Sequence, residues 1–154
     1  MNNLPSEAAA RLIDGTLAAV QTVFPVPITV ENTEVLGTGM LHSQMGVLIG
    51  ITGQVRGRLF IEAKPAVFSA VGELMFGMPL TGEMLESFVG ELGNMIAGNM
   101  STHVSTKGVH IDITPPTVLV GETKLSGYDT ALSIPAQIQD IGTLHIVLMV
   151  DETE

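Results

Sequence analysis

Apolar residues recur every three to four positions in three segments of the chain, which is the spacing of helices that bury one face. Each segment has a recognisable boundary. Ser6 is a favourable N-cap before the first, Pro65 suits the first turn of the second, and Gly108 ends the third. The pattern predicts helices at 7–24, 65–77 and 81–106.

Shorter segments between and after these helices are rich in apolar and β-branched residues. They predict strands at 28–37, 45–54, 56–63, 110–113, 117–121, 128–137 and 142–150. The order helix, strands, two helices, strands is typical of an α+β domain, here a largely antiparallel β-sheet with long helices packed on one face. Because no low-complexity linker divides the chain, residues 1–154 are predicted to form a single domain.

The third predicted helix has a clear apolar face and a flank of small residues. Advancing about 100° per residue places six apolar residues within about 60° of one direction, the predicted core face. These are Leu85, Phe88, Val89, Leu92, Ile96 and Met100. The small residues on the flank are Gly90, Gly93, Ala97 and Ser101. We expect the alanine-rich first helix to approach closely there.

The opposite side of this helix presents Ser87, Glu91, Asn94 and Gly98. A solvated helix face usually carries several charges in pairs, whereas this one has one charge and a glycine that costs about 1 kcal/mol relative to alanine. Gly98 is explained if another molecule must approach the helix beside Asn94. Asn99 falls toward the core side, so we expect a buried amide bonded to nearby backbone.

Composition narrows the choice of partner. The net charge of -10 and the six lysine and arginine residues argue against a nucleic acid or an anionic membrane. With one tyrosine and no tryptophan, aromatic platforms for stacking bases are also lacking. A small molecule or another protein is the expected partner.

Cysteine is absent from the chain, which excludes disulfides, thiolate metal sites and thiol nucleophiles. No apolar run reaches the roughly 18 residues of a membrane span, and the N-terminus lacks the pattern of a signal peptide. These features are expected of a cytoplasmic protein.

The polar side of the third helix resembles a motif of the CheC/CheX/FliY family of response-regulator phosphatases. The family pattern has Ser or Asp, three residues, Glu, two residues, Asn, and a proline farther along. Here it is Ser87-x3-Glu91-x2-Asn94, of which Glu91 and Asn94 lie in "ELGNMIAGN". Pro115 and Pro116 follow after 20 and 21 intervening residues, slightly fewer than in the family. The single copy of the motif is most similar to the one-site CheX branch.

This resemblance implies a CheC-like fold and an enzyme that dephosphorylates the aspartyl phosphate of a receiver domain. Asn94 would orient the attacking water, and Glu91 would pair with a lysine of the receiver. Ser87, Gly98 and Pro116 would flank the contact. The resemblance also implies a homodimer with no cofactor of its own, the Mg²⁺ being held by the partner receiver domain.

The sequence leaves two other functions open. His110, Asp112 and the later His145 have the spacing type of an iron(II) facial triad, although residues of such common types produce this pattern easily by chance. A non-catalytic, dimeric receiver-binding or scaffold domain is the main alternative. Presence of both Glu91 and Asn94 disfavours it, because a degenerate relative would be free to lose either.

Overall fold

A computed structural model of the protein describes residues 7–36, 41–126 and 130–151. The three helices are α1 (Glu7–Val23), α2 (Pro65–Phe76) and α3 (Gly82–Ser105). The strands are β1 (Ile28–Val30), β2 (Glu34–Leu36), β3 (Leu41–Gly53), β4 (Gly57–Glu62), β5 (Ile111–Ile113), β6 (Thr117–Leu125), β7 (Thr130–Ile138) and β8 (Gly142–Val150). The predicted helices are therefore present, while the predicted cap Ser6 lies outside the described residues.

The strands form one antiparallel sheet in the order β1-β7-β8-β4-β3-β5. Each edge of the sheet has a second strand. β2 pairs with β7 alongside β1, and β6 pairs with β3 alongside β5. β3 and β6 are longer than predicted because they pair with each other as far as Leu41 and Leu125.

The single strand predicted at 28–37 is instead divided into β1 and β2, whose registers against β7 differ by one residue. Between them, Glu31 donates its backbone N–H to the carbonyl of Pro135 in β7 at 2.9 Å. Because proline has no N–H, Pro135 cannot donate the second hydrogen bond of this pair to Glu31. The ladder is therefore interrupted at this point.

The main core lies between the three helices and one face of the sheet. Along β4, Leu59 and Ile61 join this core, whereas the intervening Phe60 points to the other face, as expected for a strand. A smaller buried cluster on that other face consists of Phe60, Ala131, Val147 and Met149. The arrangement confirms the predicted α+β fold with helices on one face.

α1 and α3 pack closely through a glycine of α1. A Cβ added to Gly15 would lie 2.9 Å from Cγ1 of Val104 and 3.2 Å from the carbonyl oxygen of Met100. The expectation that α1 approaches the small residues of α3 is wrong for Gly90 and Gly93. Those two glycines face the sheet instead, because α3 needs small residues where it crosses β3 and β6.

Candidate functional site

α3 is held in place by its apolar face. All six residues of the predicted core face are buried: Leu85, Phe88, Val89, Leu92, Ile96 and Met100. Fully burying one such side chain stabilises the fold by about 1.5–3 kcal/mol, compared with about 1 kcal/mol lost for each glycine inside a helix. Packing therefore outweighs the poor helix propensity of this segment.

The polar side of α3 is open, as the pattern predicts. Ser87, Glu91 and Asn94 are exposed, and nothing lies within 4 Å of the position that a Cβ on Gly98 would take. We call this row of four residues the polar ridge. It faces away from the main core, so another macromolecule can reach it without displacing any part of the chain described by the structure.

Glu91 and Asn94 are neighbours on the polar ridge. Residues three apart in a helix differ in height by about 4.5 Å, and their Cβ atoms lie about 5–6 Å apart. Within residues 7–36, 41–126 and 130–151, neither side chain has a hydrogen-bond or ion-pair partner. Both groups keep their hydrogen-bonding capacity for a partner molecule.

Pro116 borders the ridge from the loop between β5 and β6. Thr114 fastens this loop to β3: its N–H donates to the carbonyl of Gly50 at 3.0 Å, and its Oγ1 accepts the Gly50 N–H at 2.7 Å. A Cβ on Gly90 would lie 3.9 Å from Cγ of Pro116 and 3.2 Å from Cγ2 of Val118. The structure therefore brings Pro116 to the helix one turn before Asn94, although the two are distant in sequence.

Asn99 differs from its predicted environment. Its amide Nδ2 donates to the carbonyl of Met95 at 2.9 Å, so the predicted bond to nearby backbone is present, but the residue is exposed rather than buried. The buried stripe of α3 shifts around the helix in its second half, where Met100 and Val104 pack against α1. That shift leaves Asn99 outside the core.

Met84 is not among the site residues predicted from the sequence; it is 60% exposed and lies one turn before Ser87. On the same helical projection it falls beside the polar ridge. A search for polar residues on this side of the helix does not find Met84, because its side chain is apolar. Only its angular position on the helix indicates that Met84 belongs with this surface.

α3, which carries the ridge, and the preceding helix α2 are acidic. Residues 65–105, which include α2 and α3, contain four glutamates and no lysine or arginine. A partner that presents cationic groups around its contact surface is electrostatically favoured here.

The facial-triad alternative is excluded by the strand order. Asp112 is in β5 and His110 directly precedes that strand, whereas His145 is in β8, with β4 and β3 in between. Three inter-strand spacings amount to about 14 Å, too far for one ion. The described residues contain no group of three or more histidine, aspartate or glutamate side chains able to hold a metal.

His145 instead pairs with Glu62 in β4, its Nδ1 lying 2.9 Å from a carboxylate oxygen. The hydrogen bond with Glu62 raises the pKa of His145 above the ordinary value of 6.5, and the glutamate charge adds to this, while partial burial acts in the opposite direction. The pair lines a cleft of about 590 Å³, together with His42, Lys64 and Glu122. This cleft is built from strand ends and is separate from the polar ridge.

No helix in the described ranges combines the length and apolar character needed to cross a membrane.

Comparison with known proteins relates the chain to one family. Residues 45–137, which include the polar ridge and Pro116, match the family described as chemotaxis phosphatase CheX. A protein of Thermotoga maritima named CheY-P phosphatase CheX is 33% identical over 138 residues, a stretch covering 84% of this chain and 88% of the relative.

Two solved structures share the fold. The chemotaxis protein CheX from Desulfovibrio desulfuricans has a TM-score of 0.79 at 19% identity, with 95% of this chain and 100% of that chain covered. A CheX-CheY-BeF3-Mg²⁺ complex from Borrelia burgdorferi has a TM-score of 0.77 at 22% identity, with 95% and 99% covered. The similarity therefore extends over nearly the whole fold.

Proposed function

The chain belongs to the CheX family of chemotaxis phosphatases, and we propose that it hydrolyses the aspartyl phosphate of a CheY-like response-regulator receiver domain. The observation that carries the proposal is the exposure of Glu91 and Asn94 on one turn of α3, with no partner among the described residues. A substrate displayed on the surface of another protein requires such a projecting site rather than an enclosed pocket.

Asn94 is proposed to position the attacking water. Its amide both donates and accepts hydrogen bonds, so it can hold a water in line with the phosphorus atom. The water oxygen forms the new bond to phosphorus, the bond from phosphorus to the aspartyl oxygen breaks, and the leaving aspartate keeps that electron pair. The protons of the water pass to phosphate and solvent. Catalysis of this kind depends on orientation more than on acid–base chemistry.

Glu91 is proposed to dock the receiver. A carboxylate one turn from Asn94 can pair with a receiver lysine and set the register in which the phosphoryl group meets the amide. Ser87, Gly98 and Pro116 flank the contact, and Gly98 leaves the space that close approach requires. The acidic character of residues 65–105 supports a cationic rim on the receiver.

The proposal assigns no cofactor to this chain. The Borrelia structure is named as a complex of CheX with CheY, BeF3 and Mg²⁺. By analogy, we place the Mg²⁺ on the receiver, where it would neutralise the charge of the phosphoryl group.

We also propose that the whole chain acts as one domain in a cytoplasmic homodimer. The family resemblance supports the dimer. The absence of cysteine is typical of a cytoplasmic location.

The test is a turnover assay. Receivers of the host are phosphorylated with a small-molecule phosphodonor and Mg²⁺, the donor is removed, and phosphate release is followed with and without catalytic amounts of the protein. We expect multiple turnovers with at least one receiver. Stable binding to a phosphorylated receiver without faster phosphate release would identify a non-catalytic binding domain instead.

A further inference from the structure

Exposed apolar side chains are concentrated in the segment of the chain that leads into α3. Of the six large apolar side chains that are exposed in the described part of the chain, four fall within residues 74–84. Three of them form what we call the corner patch, which follows the chain from the end of α2 into the first turn of α3. They are Phe76 at 61%, Met78 at 51% and Met84 at 60% exposure.

The corner patch is anchored to α3 through Phe88. The rings of Phe76 and Phe88 meet edge to face, with centroids 5.7 Å apart and planes at 88°. Met84 is four residues before Phe88, so the two side chains lie on neighbouring positions of the helix surface. Phe76 and Met84 are therefore both placed next to Phe88 of α3.

The corner patch is also continuous with the polar ridge. Met84 lies one turn before Ser87, in the same angular range of the helix as Glu91. Ser87 to Gly98 spans about 16 Å of helix. A bound receiver that covers Ser87 therefore has Met84 at the next turn.

The ridge by itself is too small for a protein partner. Specific interfaces of standard size bury about 800 Å² on each side, and the most strongly contributing residues are large side chains that exclude water. A serine, a glutamate, an asparagine and a glycine supply little apolar area. The contact must extend to neighbouring surface, and the corner patch is the apolar surface that adjoins it.

We infer that the corner patch is the apolar anchor by which this protein docks the phosphorylated receiver, with Met84 as its central contact. This inference rests on the proposed function and names a second part of the same interface. The expected receiver surface is apolar where it meets Met84 and cationic around it, since residues 65–105 carry four glutamates and no lysine or arginine. A second copy of this chain would instead bring two acidic surfaces together, at a net charge of -10 each.

The test compares Met84→Gln with wild type in a binding assay that needs no turnover. The receiver is loaded with beryllofluoride and Mg²⁺, and the Kd is measured by calorimetry. Met84→Gln keeps the length of the side chain and good helix propensity. We expect Kd to rise about fivefold or more, KM to rise with it in the turnover assay, and kcat to change little.

Leu74→Gln is the matched control. Leu74 is 40% exposed and lies in α2, two residues before Phe76 and hence on a different side of that helix. This variant should bind as wild type does. Phe76→Gln provides the second test of the patch and should weaken binding in the same direction as Met84→Gln.

Unchanged Kd values in both Met84→Gln and Phe76→Gln would overturn the inference while leaving the phosphatase proposal intact. A lower kcat at constant KM in Met84→Gln would overturn it as well. So would loss of self-association of these variants, measured by sedimentation, while their receiver binding stays unchanged. Wild-type protein that neither binds nor dephosphorylates any receiver of the host would instead overturn the proposed function, and the anchor with it.

Discussion

Gly93 of α3 packs directly on Val47 of β3, so closely that a Cβ on the glycine would lie 2.6 Å from Cγ1 of the valine. Successive helical residues are turned by about 100°, so with Gly93 held against the sheet the next residue, Asn94, points sideways out of the interface between helix and sheet, where it is exposed. The orientation of the proposed catalytic amide is thus fixed by a buried contact of its neighbour. A substitution at position 93 is therefore expected to shift the backbone of α3 and, with it, the side chain of Asn94.

Alanine at positions 93 and 98 is expected to change stability in opposite directions. At Gly93 the added methyl group must displace Val47, and overpacking of this kind costs about 1–3 kcal/mol. At Gly98 nothing lies within 4 Å, so Gly98→Ala should gain up to about 1 kcal/mol from helix propensity. Urea unfolding followed by circular dichroism measures both, and destabilisation by Gly98→Ala would mean that the ridge is covered in solution.

Asn94→Ala is expected to lower kcat at least about a hundredfold, because misplacing a reacting group has consequences of this size. The side chain is exposed and has no partner in the described ranges, so the circular dichroism spectrum and the affinity for a beryllofluoride-loaded receiver should stay close to wild type. Asn99→Ala is the matched control, since Asn99 is an exposed asparagine of the same helix that bonds only to Met95 among the described residues. Full turnover in Asn94→Ala would remove the proposed mechanism.

Glu91→Gln is expected to act on docking. Losing one exposed ion pair corresponds to about 1 kcal/mol, or about a fivefold rise in KM, with a smaller dependence of KM on salt than in wild type. Glu86→Gln changes another exposed glutamate of α3 that lies away from the ridge, and it should raise KM less than Glu91→Gln does, because it removes only a long-range contribution. Equal effects of the two variants would show that Glu91 contributes only to the general acidity of the surface.

The pair of His145 and Glu62 predicts a pH dependence of stability. The hydrogen bond with Glu62 raises the pKa of His145 in the folded protein above 6.5. The protonated pair therefore adds stability below pH 6.5, and this contribution is lost as pH rises through the raised pKa of His145. The gain is modest, since His145 remains partly exposed.

Denaturation curves between about pH 5.5 and pH 8.5 check this dependence. Glu62→Gln should flatten the change in free energy of unfolding and lower the His145 pKa seen by NMR titration. His145→Gln removes the imidazole itself and should flatten the slope likewise. A slope that is the same in wild type and Glu62→Gln would contradict the prediction.

Local periodicity predicts the three helices and separates the apolar face of α3 from its polar ridge. Leu92 and Asn94 are two residues apart, and their opposite environments follow from the geometry of any helix that buries one face. Composition and turn residues also predict the strands, apart from the division at 28–37, and three residues of the family motif, Ser87, Glu91 and Asn94, lie within one helix. Each of these features depends on side chains that are close together in the sequence.

Only the tertiary structure decides which distant segments of the chain are in contact. The sheet, rather than α1, packs against Gly93; Pro116 borders the ridge because Thr114 binds Gly50; and Pro135 of β7 divides the strand predicted at 28–37. Strand order also separates His145 from Asp112 and places it beside Glu62. Periodicity shows which side of an element is buried, but which element covers that side depends on the chain topology and the strand register.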